Sequence, residues 1–67
     1  MVIRIIDIHD NHINMGGIET IREDKDGIIN IIPINESTAL ILNGVEIMQL
    51  ERPSFDKRKI KSLEVIA

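Results

Sequence analysis

The chain contains no cysteine, tryptophan or tyrosine, and phenylalanine occurs once, at Phe55. Without cysteine, no disulfide constrains the unfolded chain and no thiolate is present as nucleophile or metal ligand. Without aromatic side chains to stack on bases, sequence-tolerant binding of single-stranded nucleic acid lacks its usual platform. Long apolar runs are missing too. Met1 to Asp10 already carries Arg4, Asp7 and Asp10, and no stretch approaches the roughly 18 apolar residues of a membrane-spanning helix. Nothing resembles a secretory leader. These absences point to a soluble, cytoplasmic protein with no membrane partner.

What the chain has in excess is isoleucine, sixteen of 67 residues. Isoleucine is stiff at its first side-chain torsion and packs better on a pleated sheet than in a helix. A core built from it implies a mainly β fold. At this length the chain is a single domain near the lower limit for folding alone. Domains this small are usually reinforced by disulfides, a metal or self-association. The first is excluded and the second has little support in the sequence, so a homo-oligomer is expected.

The net charge of −3 conceals an asymmetry. Residues 1–53 hold four basic side chains against nine acidic ones. Residues 54–67 hold Lys57, Arg58, Lys59 and Lys61 against Asp56 and Glu64. An acidic body with a basic end is poorly suited to wrapping nucleic acid, but the end of one copy would suit the body of another.

Along the chain, residues 2–9 read as a strand, followed by a turn at Asp10-Asn11-His12. Gly16-Gly17 marks a bend. Residues 18–23 (IETIRE) have apolar spacing of three, which fits either a strand or one helical turn. Asp24-Lys25-Asp26-Gly27 is a hairpin signal. Residues 28–35 form the most strand-like run, with Ile28, Ile32 and Ile34 beside Asn30 on one face and Ile29, Ile31 and Pro33 on the other. Pro33 suggests an edge or a bulge. TALIL-Asn43-Gly44-VEIMQL is the strongest hairpin signal in the chain. Beyond Pro53, Ser54 serves as an N-cap, and Ile60, Leu63 and Ile66 recur every three residues. That spacing predicts a short helix over 55–65, with a final strand alternating around Glu64 as the rival. The expected fold is thus β-rich α+β: a small antiparallel sheet or mini-barrel of four or five strands, closed by a basic C-terminal helix.

Candidate chemistry is sparse. Asp7, His9, Asp10 and His12 are the one concentration of metal-type ligands, but their spacing matches no known signature; the plainer reading is a strand end with solvated histidines. Asp24 to Gly27 fails as a calcium loop because Ile28 stands where an oxygen ligand belongs. The serines and threonines have no base at a motif spacing. No catalytic residue, cofactor or metal is therefore assigned. Lys57, Arg58, Lys59 and Lys61, with backbone donors at Gly16 and Gly17, form a candidate anion site. Ile29, Ile31, Ile41 and Met48, on strands apolar on both faces, form a candidate oligomer interface.

Residues 13–31 (INMGGIETIREDKDGIINI) resemble the early part of the FlbD family of small flagellar proteins, with Asn14, Ile18 to Ile21 and Asp26 at matching places. Asn43-Gly44 and residues 54–66 correspond to that family's hairpin and short terminal helix. A stretch inserted before Asn43, including Pro33 and residues 35–38, departs from the pattern. The resemblance implies a small, non-catalytic accessory protein and carries over no functional residue.

The leading expectation is a non-enzymatic interaction or regulatory protein that acts as a homo-oligomer and binds a protein partner. The alternatives are a phage-encoded binder sequestering a small anionic ligand, such as a signalling nucleotide, between subunits, and an acidic-surface inhibitor of a host enzyme.

Overall fold

A computed structural model describes residues 1–67. Eight strands succeed one another: β1 (Ile3–Asp7), β2 (His12–Met15), β3 (Ile18–Glu23), β4 (Ile28–Pro33), β5 (Thr38–Leu42), β6 (Val45–Leu50), β7 (Ser54–Asp56) and β8 (Ile60–Val65). They form two antiparallel sheets, ordered β6-β5-β2-β1-β8 and β3-β4-β7. The fold is mainly β, as the isoleucine content requires. It has more strands than expected, divided between two sheets with no closed barrel.

The sheets face each other across a core of Ile3 and Ile5 from β1, Ile13 and Met15 from β2, Ile18 from β3, Ile29 and Ile31 from β4, and Leu40 from β5. Six of these eight side chains are isoleucine. Ile29, Ile31 and Pro33 turn inward together, while Ile28, Asn30 and Ile32 are half-buried on the other face. The facial division of β4 thus follows its alternation. Ile29 and Ile31 are nevertheless consumed by the chain's own core, being 9% and 0% exposed. They are not available to a second copy, which corrects their assignment to an interface. Each sheet covers the other's apolar face, and the total surface of 4467 Å² is close to the roughly 4,300 Å² expected of a folded monomer of this mass.

Two of the turns are made by the residues that the chain suggests, whereas the first lies at Ile8-His9, ahead of the expected Asp10-Asn11-His12, and His12 begins β2. Asn43 and Gly44 join β5 to β6 with positive φ of 49° and 87°, the left-handed pair that matches strand twist in a tight hairpin. At the β3–β4 turn, Asp24 Oδ1 accepts from the backbone N–H of Asp26 and Ile28, at 2.8 and 3.1 Å. Buried Thr38 donates its hydroxyl to the Gly16 carbonyl at 2.7 Å. Pro33 pairs with Ile18 at the end of β4, beyond the part of β4 that β7 covers.

The expected C-terminal helix is absent. Residues 57–59 make one 3₁₀ turn, and β8 pairs antiparallel with β1. The apolar spacing of three has another cause. Ile60 lies opposite Asp7 and Ser62 opposite Ile6, so Lys61 is an extra residue, a β-bulge. The bulge reverses the alternation, and Ile60 and Leu63 both pack against the core. The same device operates in β3. Ile18 pairs with Pro33 and Thr20 with Ile32, leaving Glu19 extra and setting Ile18 and Ile21 on one face.

On the outer face of the five-stranded sheet, Asn14 pairs with Arg4 on one side and Ile41 on the other. Its Oδ1 is buried without a hydrogen-bond partner.

Two substitutions test this account. Ile31→Ala removes a fully buried side chain and costs about 2–5 kcal/mol, comparable to the whole stability of a domain this small. Circular dichroism should show it largely unfolded. Asn14→Val removes an unsatisfied buried acceptor and adds a strand-favouring residue, so the urea midpoint should rise.

Candidate functional site

The Asp7–His12 segment is a turn built around one carboxylate. Asp7 Oδ1 accepts from the backbone N–H of His9 at 2.8 Å and Asn11 at 2.9 Å, while Oδ2 accepts from the Asn11 side chain at 3.0 Å. These bonds, led by those from Asn11, hold its carboxyl below the usual range. Both oxygens are thereby engaged within the turn. His9 and His12 are exposed, and no group of three or more His, Cys, Asp or Glu side chains is placed to hold a metal ion.

The basic C-terminal run is largely neutralised. Lys57 lies 3.5 Å from Glu23, Arg58 forms a 2.9 Å pair with Asp56, and Lys61 reaches Asp10 at 2.5 Å. Asp56 accepts from the Arg58 side chain and backbone, which lowers its pKa to about 2. Lys59 is the one basic residue of the run outside an ion pair. Gly16 and Gly17 do not join this group. They follow Met15, which pairs with Ile3, whereas the basic run leads into β8, whose first residue, Ile60, lies opposite Asp7 at the other end of β1. The structure does not bring the candidate anion-binding residues into one site.

It does form a groove where the two sheets open. The groove measures about 460 Å³ and is lined by Asp7, Ile8, His9, Ile13, Ser54, Phe55, Asp56, Lys59 and Ile60. That volume falls in the range of small-ligand pockets. Its two carboxylates are occupied by their own turns, so Lys59, His9 and Ser54 are the polar groups offered over an apolar floor. A second hollow of about 330 Å³ sets Arg22 and Arg52 beside Glu23 and Asp24.

The most distinctive surface is an edge. Strands at the rim of a sheet expose unpaired N–H and C=O groups and invite further pairing unless defended by charge, brevity or distortion. Edge strand β3 carries Glu19, Arg22 and Glu23; β8 carries Lys61 and Glu64; β7 has three residues. Edge strand β6 has one charge, Glu46. Its Val45, Ile47 and Met48 are 62%, 46% and 49% exposed. Met48 therefore lies on an open apolar rim. Ile41, on neighbouring β5, is half-buried.

The position of β6 is fixed by a bond set that the sequence does not announce. Asn43 Oδ1 accepts from the His12 backbone N–H at 2.8 Å, its Nδ2 donates to Asn11 Oδ1 at 3.2 Å, and its own N–H donates to the His12 carbonyl. The asparagine that turns the β5–β6 hairpin also fastens it to the β1–β2 turn.

The lowered carboxylates give a pH test. Asp56 titrates at about 2 when folded, against an ordinary 3.8. Its stabilising contribution is complete above about pH 5 and disappears as pH falls through about 2. Asp7 acts with the same sign. The urea midpoint should fall between pH 5 and 2, and Asp56→Asn should flatten that fall. An unchanged slope in the variant would remove the Arg58 pair as its origin.

In comparison with known proteins, the chain matches no family model, no curated protein and no solved structure.

Proposed function

We propose that the chain is a small, non-enzymatic interaction protein that works as an assembly of its own copies and offers that assembly to a protein partner. The observation that carries this reading is the β6 edge: six residues with one charge, apolar side chains open to solvent and an unpaired outer rim. Extended segments bind such edges through main-chain hydrogen bonds, with alternate side chains providing selectivity. The resemblance to the FlbD family points to the same class, a non-catalytic accessory protein.

Unburied sheet faces no longer require a second subunit, because the two sheets cover each other. What remains is a line of unsatisfied backbone groups beside exposed Val45, Ile47 and Met48. The rival anion-binding reading has less support, since three of its four cations are paired within the chain. Its remaining observation is the groove beneath Lys59.

Size-exclusion chromatography with light scattering, run from low to high micromolar concentration, tests the proposal. The expected result is a mass above 7.6 kDa that falls on dilution. Met48→Lys places a charge on the open rim and should yield monomer with little change in melting temperature, because this side chain is half exposed. A wild-type chain that stays monomeric throughout would defeat the reading.

A further inference from the structure

We propose that the occupant of the β6 edge is a second copy of the chain, added antiparallel about a two-fold axis between Ile47 and Met48. Two five-stranded sheets then become one of ten strands. The inference rests on β6 being the interaction edge, and it specifies the partner and the register.

A bulge in β6 makes this pairing possible. Leu42 lies opposite Val45, Ile41 opposite Glu46, Leu40 opposite Met48, Ala39 opposite Gln49 and Thr38 opposite Leu50. Ile47 is the extra residue. In an antiparallel pair, opposed residues share a face. Val45, Met48 and Leu50 therefore lie on the face of buried Leu40 and Thr38, and Glu46 and Gln49 lie on the other.

An unbroken strand of six residues would set its first and last side chains on opposite faces. Two-fold pairing about its midpoint would then be impossible, since Val45 and Leu50 of the other copy would point away from each other. The inserted residue removes that mismatch. Outside the central Ile47–Met48 pair the face order of β6 reads the same from either end, so Val45 meets Leu50 on the core side and Glu46 meets Gln49 on the outer side. A slip of one residue sets Val45 against Gln49, or Glu46 against Leu50, and mixes the faces.

The chemistry agrees with the geometry. The core-side pairs are apolar throughout. On the outer face, the sole charge of the strand meets an amide that donates hydrogen bonds, so no like charges are opposed despite the net charge of −3 on each copy. A bulge normally protects an edge from pairing. Here its placement at the centre makes the edge self-complementary.

The absence of cysteine permits a direct test. Glu46→Cys and Gln49→Cys chains, mixed and mildly oxidised, should form a mixed disulfide dimer in clear excess over either homodimer. The distance between directly opposed positions suits a disulfide. Gln49→Glu should weaken association about tenfold by opposing two pairs of carboxylates, and adding Glu46→Lys should restore it. Within one chain, residue 46 faces Ile41, and residue 49 faces Ala39 and accepts from the Ser37 hydroxyl at 3.2 Å, a bond that a glutamate oxygen can also accept; residues 46 and 49 do not pair there, so rescue reports on contact between copies. Equal crosslinking of Glu46→Cys alone, or weakening without rescue, would overturn the register. If Met48→Lys still dissociated the assembly in that case, β6 would stand as the interaction edge. A wild-type monomer at all concentrations would overturn both.

Discussion

The fold depends on two sheets burying isoleucine against isoleucine. Ile3, Ile5, Ile18 and Ile31, with Met15, are the largest fully buried side chains, and none offers the area of an aromatic ring. Branched aliphatic side chains must therefore fill the space by number and close fit, which requires strands from both sheets to aim alternate residues at a common plane. The polar features follow from that demand. Asp7, Asp24 and Asn43 hold the turns that return the chain to the core, and Thr38 enters the interior with its hydroxyl bonded to Gly16.

Simple alternation does not fill this interior. Three strands, β3, β6 and β8, each carry one extra residue, and in each the apolar side chains on one face are three apart: Ile18 and Ile21, Val45 and Met48, Ile60 and Leu63. This limits what could be read from the sequence. The Asn43-Gly44 and Asp24–Gly27 turns were legible because left-handed backbone and aspartate side-chain bonding are local properties. The two faces of β4 were legible because that strand is regular. The end of the chain was not, since spacing of three is also the helical period, and the bulge at Lys61 exists only in relation to Ile6 and Asp7 across the ladder. The fate of Ile29 and Ile31 was hidden for a similar reason: which apolar face is covered depends on the other sheet.

The candidate sites divide along the same line. Residue types announced a basic cluster and a group of ligand-type side chains, but pairing partners far away in sequence determined what these groups do. Glu23 and Asp10 engage Lys57 and Lys61 across 34 and 51 positions. Met48 remained on the surface because β6 is last in its sheet, a fact of strand order. The surface proposed for interaction is thus a property of topology more than of any motif. It lies where the chain ceases to find partners within itself.

The pairing of β1 with β8 has a consequence in time. Ile3 meets Val65, so β1 cannot complete its ladder until β8, far along the sequence, has been made. Hairpins such as β3–β4 and β5–β6 close over short loops and can form early, whereas joining β1 to β8 carries the larger loop-closure cost and slows folding. Until β8 is in place the rim of β1 that it covers is open, and β8 is the latch that closes it.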